Sequence, residues 1–253
     1  MNKTVFITGA TSGIGKSCAI AFAKKSFRII INGRRENLLS GLSESLKKDF
    51  GVEVLSLPFD VREKENVFDA IHNLPAEWEN IDILINSAGL ALGKDHFDEA
   101  HLHDWETMID TNVNGLLYVS KAVLPQMIKN NSGHIINIGS VAGDFVYENG
   151  NIYCATKSAV DAISKSMRID LLPHHIKVTN IKPGAVETEF SLVRFKGDTE
   201  KASATYEGFQ PLTGDDIAEI AVYCAMLPAN VCINDLTVTP VAQANGVYFH
   251  KTV

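Results

Sequence analysis

Thr8-Gly9-Ala10-Thr11-Ser12-Gly13-Ile14-Gly15 is the stretch on which the reading of the fold turns. The apolar run Thr4–Thr8 leads into it, and the amphipathic stretch Ile14–Lys25 leads out. Glycines at a strand-to-helix turn let the backbone bend tightly and approach a neighbouring group closely. The helix that follows offers free N–H groups and the positive end of its dipole, which suits a phosphate. The spacing is Gly-x-x-x-Gly-x-Gly and not Gly-x-Gly-x-x-Gly, yet the strand before and the helix after make it a cradle for the pyrophosphate of a dinucleotide. The candidate contacts here are Gly9, Thr11, Ser12, Gly13, Ile14 and Gly15.

Outward from this turn, short runs rich in Ile and Val recur at Arg28–Asn32, Glu53–Leu57, Asp82–Asn86, His134–Ile138, Lys177–Ile181 and Leu236–Val241. Each is apolar on successive positions, as strands buried on both faces are. Helical stretches alternate with them at Glu36–Phe50, Lys64–Asn73, Asp104–Asn130, Ile152–Leu172 and Gly214–Leu227. Parallel neighbours need a helix-length crossover, so this rhythm predicts an α/β fold of Rossmann type. The expectation is one domain over 1–253, a doubly wound, mainly parallel seven-stranded sheet with helices on both faces. Ala185–Pro211 breaks the rhythm, with little periodicity in its middle, and is expected to be an irregular substrate lid.

The second strand ends Asn32-Gly33-Arg34-Arg35, with no acid before Glu36 to bind a ribose 2′-hydroxyl. Two guanidiniums at that place favour a 2′-phosphate, so Arg34 and Arg35 point to NADP over NAD. The whole chain of 253 residues carries 23 basic and 30 acidic side chains, a net of −7. With no basic tract, it is a poor partner for nucleic acid or an anionic membrane. Cys18, Cys154, Cys224 and Cys232 form no CxxC pair, and neither a membrane-length apolar run nor a signal-peptide pattern is present, so a reduced, cytoplasmic setting is expected. His96, His101 and His103 are close in sequence but lack supporting Cys or carboxylate spacing, so they are read as surface residues and no metal site is expected.

Tyr153 and Lys157 stand at i and i+4 of a helical stretch and share one face. An ammonium near a phenol favours the phenolate, which makes Tyr153 usable as a general acid or base. Ser140 lies at the end of the strand His134–Ile138, placed to hydrogen-bond a substrate oxygen while Tyr153 exchanges its proton.

With these residues assembled, the chain resembles the short-chain dehydrogenase/reductases over essentially its whole length. TGATSGIG is similar to that family's cofactor motif, and Asn86-Ser87-Ala88-Gly89 to its Asn-Asn-Ala-Gly motif, with Ser87 in place of the second Asn. The resemblance implies a catalytic tetrad of Asn112, Ser140, Tyr153 and Lys157, with Asn112 supporting a proton-relay water and Lys157 holding the nicotinamide ribose. It implies cofactor contacts from Asn86, Ala88 and Gly89, from Asp60 and Val61 at the adenine, and from Pro183, Gly184, Val186 and Thr188 at the nicotinamide. It also implies a homotetramer, for which the apolar faces of the two longest helices and the tail Ala242–Val253 are candidate contacts.

A narrower resemblance runs through residues 74–93, 104–118, 133–140 and, most distinctively, Thr188–Asp198. It is to the NADP-dependent 3-hydroxy acid dehydrogenases, and it implies substrates such as L-serine, L-allo-threonine and 3-hydroxypropionate or malonic semialdehyde. One departure is the short Ala185-Val186-Glu187 before Thr188, where a longer, Gly-rich connection is expected. Arg194 and Lys196 in the lid suit a substrate carboxylate, with Arg194 the stronger candidate. Two further readings stay open: a short-chain reductase of another carbonyl, such as a 3-ketoacyl thioester or a sugar, and a non-catalytic NADP sensor.

Overall fold

The computed structural model describes residues 3–252. Seven strands, β1 (Thr4–Ile7), β2 (Arg28–Gly33), β3 (Val54–Pro58), β4 (Ile83–Asn86), β5 (Gly133–Ile138), β6 (Ile176–Pro183) and β9 (Asp235–Val238), form one sheet in the order β3-β2-β1-β4-β5-β6-β9. Every pairing in it is parallel. The crossovers are α1 (Gly13–Lys24), α2 (Glu36–Phe50), α3 (Lys64–His72), α4 (Leu102–Ile109), α5 (Gly115–Lys129), α6 (Asn151–Asp170) and α9 (Gly214–Met226).

Alternate residues along each strand enter different cores. Val5 and Ile7 of β1, and Ile29 and Ile31 of β2, pack with Cys18 and Phe22 of α1, Leu39 and Leu46 of α2, and Ile217 and Val222 of α9. Phe6, Ile30 and Leu84 face the other way, onto Val67 of α3 and Val119, Val123 and Met127 of α5. Each fully buried aliphatic contributes about 1.5–3 kcal/mol. This two-sided burial is why the strands read as continuous apolar runs.

Two expectations need correction. The stretch Asp104–Asn130 is not one helix: a π turn at Asp110–Asn114 divides α4 from α5, with the Gly115 N–H reaching back to the Asp110 carbonyl. Such turns are frequent beside functional sites, and this one carries Asn112. The segment 185–211 is not irregular either. It contains two short helices, α7 (Glu189–Arg194) and α8 (Thr199–Ala204). Its ends are joined because β7 (Val186–Glu187) pairs in parallel with β8 (Leu212–Thr213). The short Ala185-Val186-Glu187 connection is the half-ladder that closes this loop, and helices of six residues are too brief to show a clear period in sequence.

The tail is ordered. It folds onto its own chain: the Thr252 N–H donates to the Gly208 carbonyl at 2.8 Å, and Phe249 packs on Phe209 with ring centroids 5.1 Å apart. Val253 lies outside the described residues. Among the described residues no helix is long and apolar enough to cross a membrane, and Cys18, Cys154, Cys224 and Cys232 are all unpaired.

His134, on β5, is buried, and its Nε2 lies 2.8 Å from the Thr179 hydroxyl, which itself donates to the Ile233 carbonyl. That network assigns the proton to Nε2, and Nδ1 is buried without a partner. Burial, with Lys177 and Lys3 adding to it, pushes the imidazole pKa down to about 3. The fold therefore keeps His134 neutral while the unfolded chain takes up a proton below about pH 6.5. Stability is lost as the pH falls through that window, by about 2 kcal/mol between pH 7 and pH 5 from this group. Urea unfolding at the two pH values is expected to show that much less acid destabilisation in His134→Gln, which retains a donor for Thr179.

Candidate active site

The sheet order reverses after β3, so the chain returns to place β4 beside β1. A crevice opens at such a switch point beyond the C-terminal strand ends. Its two walls are bolted together by Thr8, whose Oγ1 accepts from the Ser87 and Ala88 N–H groups at 3.1 Å each. Gly9, at φ 66°, lies against the Ala88 backbone, and a Cβ there would sit 2.9 Å from Ala88 Cα. Gly15 is as constrained, because a Cβ would run into the Gly9 carbonyl oxygen. The cleft measures about 770 Å³ and extends from Arg34 past Gly13 and Gly89 to Tyr153 and Arg194.

The residues present fit a dinucleotide. Ser12 precedes α1 without its side chain capping the helix, and the first turn holds no acid, so the N–H groups and the dipole face the cleft. Thr11, Ile14, Asp60, Val61, Ala88, Gly89, Pro183, Gly184, Val186 and Thr188 also line it. At its far end Arg35 donates from Nε and Nη2 to Thr11 Oγ1, at 3.2 and 3.0 Å, and pairs with Glu189 at 3.0 Å. Arg34 remains largely exposed, 3.4 Å from Asp60. Partial burial pushes the Asp60 carboxyl upward, but its hydrogen bonds from Arg62 and the charges of Arg34 and Arg62 outweigh that and hold it below the usual range.

Two residues expected at the cleft are not on its surface. Asn86 is buried, and its Nδ2 donates to Ser120 Oγ and Asn137 Oδ1 at 2.9 Å each, tying β4 to β5 and α5. Asn112 is also enclosed: its Oδ1 accepts from the Leu90 N–H at 2.8 Å, and its Nδ2 donates to the Leu90 carbonyl and to Thr156 Oγ1. Its side chain thus braces the loop after β4 against α6, with one lone pair of Oδ1 still unused.

Ser140 and Tyr153 meet at the cleft floor. Ser140 Oγ accepts from the Ala142 N–H at 3.1 Å, while Tyr153 rises from the first turn of α6. Lys157, one turn on, donates from Nζ to the Ile138 carbonyl at 2.8 Å. Burial pulls its pKa down to about 8. Burial likewise pushes the Tyr153 phenol well above its ordinary value, with Tyr147 adding to the push and the Ser140 hydroxyl and Arg194 charge opposing it. Two cations flank Tyr153: Arg194, 5.0 Å from the ring centroid, and Lys157, 6.0 Å away and also engaged with a carbonyl.

Arg194 extends from α7 among Tyr147, Tyr153 and Phe190, and its Nη2 donates to the Tyr147 hydroxyl at 2.8 Å. Its Nε is buried with no hydrogen-bond partner among the described residues. Lys196 does not share this position; it pairs with Asp104 at 2.7 Å. Tyr147, Glu189 and Asp104 escaped the sequence reading because no spacing links them to the residues they contact. Among the described residues no group of His, Cys, Asp and Glu is placed to hold a metal.

A parallel sheet with this switch-point cleft and a buried Ser–Tyr–Lys set defines a dinucleotide-dependent oxidoreductase. The chain belongs to the short chain dehydrogenase family, whose model matches residues 3–198. It is 46% identical over 250 residues to an NADP-dependent 3-hydroxy acid dehydrogenase of Salmonella typhi, covering 98% of this chain and 99% of that protein. It is 42% identical over 245 residues to sulfoacetaldehyde reductase 2 of Chromohalobacter salexigens, covering 96% of each. Among solved structures, the closed form of a serine dehydrogenase complexed with NADP+ superposes with a TM-score of 0.91 at 45% identity, covering 98% of this chain and 100% of that one.

The buried Lys157 ammonium has a measurable cost. Its pKa lies near 8 in the fold against 10.5 unfolded, so the penalty is complete below pH 8 and fades as the pH rises toward 10.5. Lys157→Met is expected to be the more stable protein at pH 7, with the gap narrowing by about 2 kcal/mol by pH 10, read from denaturant midpoints.

Proposed function

We propose that this enzyme transfers hydride between NADP and C3 of a small 3-hydroxy acid, of the L-serine, L-allo-threonine or 3-hydroxypropionate type. The observation that carries the substrate class is Arg194. A guanidinium held over the Tyr153 ring, with a buried Nε lacking any partner among the described residues, is a site for an anion. Lys196 is already neutralised by Asp104 and is left out of that role. Bound NADP supplies the hydride acceptor at the strand ends, its 2′-phosphate on Arg34 and Arg35.

Tyr153 exchanges the proton of the substrate oxygen. In reduction its buried, protonated phenol donates to the carbonyl oxygen; in oxidation its phenolate takes the hydroxyl proton. Ser140 donates a hydrogen bond to the same oxygen. Lys157 keeps one N–H on Ile138 and turns its remaining donors to the nicotinamide ribose. Asn112 braces Leu90 beside this set and supports the relay water. The segment 185–211, carrying Arg194, is the lid of this single-domain enzyme. The likeness to a sulfoacetaldehyde reductase supports a second reading, a substrate ending in a sulfonate, which Arg194 would hold as well. A homotetramer is supported by the apolar groove between α5 and α6, lined by Leu117, Leu124, Ile128 and Ile163. The unpaired cysteines support a cytoplasmic setting.

Absorbance of the reduced nicotinamide is followed with NADP or NAD and L-serine, L-allo-threonine, 3-hydroxypropionate or 2-hydroxyethanesulfonate. Turnover with NADP on the carboxylates is expected; turnover on the sulfonate alone favours the second reading, and none on any discards both. Arg194→Ala is expected to raise KM for the acids about 10- to 100-fold. Tyr153→Phe is expected to lower kcat by about 10²–10⁴ while binding NADP normally. Because oxidation needs the phenolate and burial keeps the phenol protonated well above neutrality, kcat/KM for oxidation is expected to climb with pH across the alkaline range while that for reduction stays flat.

A further inference from the structure

We propose that Lys196 and Asp104 form a clasp that positions Arg194 over the catalytic floor, so that Lys196 sets affinity for the anionic substrate without touching it; this rests on the reading of Arg194 given above. Asp104 lies in the first turn of α4, its side chain only 10% exposed, and Lys196 Nζ is its one side-chain partner among the described residues, at 2.7 Å. The dipole at the start of α4 favours the carboxylate, and Lys196 completes its neutralisation. Asp104 is buried while Lys196 is half-exposed, so parting them leaves a poorly solvated carboxylate without its cation.

The clasp reaches Arg194 through the backbone. Lys196 takes φ 53° and Gly197 φ 93°, so the chain turns sharply after α7 and brings Nζ back to α4. Two residues before Lys196, the Arg194 carbonyl accepts from the Gly93 N–H at 2.9 Å. Gly93 needs φ 72°, and a Cβ there would meet Asp95 Oδ2 at 2.7 Å. Gly93 belongs to the loop that Asn112 braces at Leu90. Arg194 is thus fastened on both sides to the loop and helix that follow β4. The narrow stretch Thr188–Asp198 carries the anion ligand and its fastener together.

The test uses NADP-loaded enzyme. Lys196→Ala is expected to raise KM for 3-hydroxypropionate about 10-fold or more with kcat changed by less than about 3-fold, because a misplaced anchor weakens binding before chemistry. The dissociation constant for NADP is expected to stay put, methyl 3-hydroxypropionate to be little affected, and Lys196→Arg to restore KM. Asp104→Asn is expected to match Lys196→Ala, and Lys196→Ala is expected to add nothing in an Arg194→Ala background. Equal losses for acid and ester, weakened NADP binding, or full additivity with Arg194→Ala would overturn the clasp. A second readout needs no turnover: deuterium uptake at the Gly93 amide is expected to quicken in Lys196→Ala, and unchanged uptake overturns the proposal. If the wild type oxidises none of the acids, the substrate reading fails while the amide exchange still decides the clasp.

Discussion

The close approach of two backbones at the switch point governs everything built around it. Thr8 gives its hydroxyl oxygen to the N–H groups of Ser87 and Ala88, and Gly9 leaves no space for a side chain between them. With β1 and β4 locked at their C-terminal ends, the α1 N-terminus, the Ala88-Gly89 turn and the end of β5 face one cleft. A side chain at Gly9 would separate the walls and one at Gly15 would collide with the Gly9 carbonyl, so these glycines are demanded by the backbone before any ligand is considered.

The cleft floor runs against folding stability. Lys157 and Arg194 are cations in a setting poor in carboxylates, one resting on a carbonyl and the other on aromatic rings and a phenol. Burial raises the Tyr153 pKa and lowers that of Lys157, so each is pushed toward its neutral form. Perturbation of this kind concentrates where proton transfer is done. His134 shows the same physics without the function: buried at the opposite, N-terminal end of β5, it is simply kept neutral.

The segment 185–211 illustrates how polar contacts divide labour among similar residues. Arg35 and Lys196 have acidic partners, Glu189 and Asp104, whereas Arg194 has none among the described residues. Glu189 links the start of α7 to Arg35, and Lys196 links its far end to α4. Arg194 lies between those two ties, positioned by them and still electrostatically unsatisfied.

Much of this was determined by the sequence alone. The Gly-rich turn, the two-sided apolar strands and their alternation with helices dictate a parallel sheet, because burial on both faces and helix-length crossovers leave few other arrangements. Tyr153 and Lys157 share a face by helix period, and Ser140 falls at a strand end. Tertiary structure decided the rest. Asn86 and Asn112 turned inward because their amides meet partners from β5, α5, α6 and the loop after β4. The difference between Arg194 and Lys196 depends on Asp104, which lies 92 residues from Lys196 in sequence. A local pattern records period and propensity; it does not record which distant carboxylate a cation will find, and that choice pairs Lys196 while leaving Arg194 without an acidic partner among the described residues.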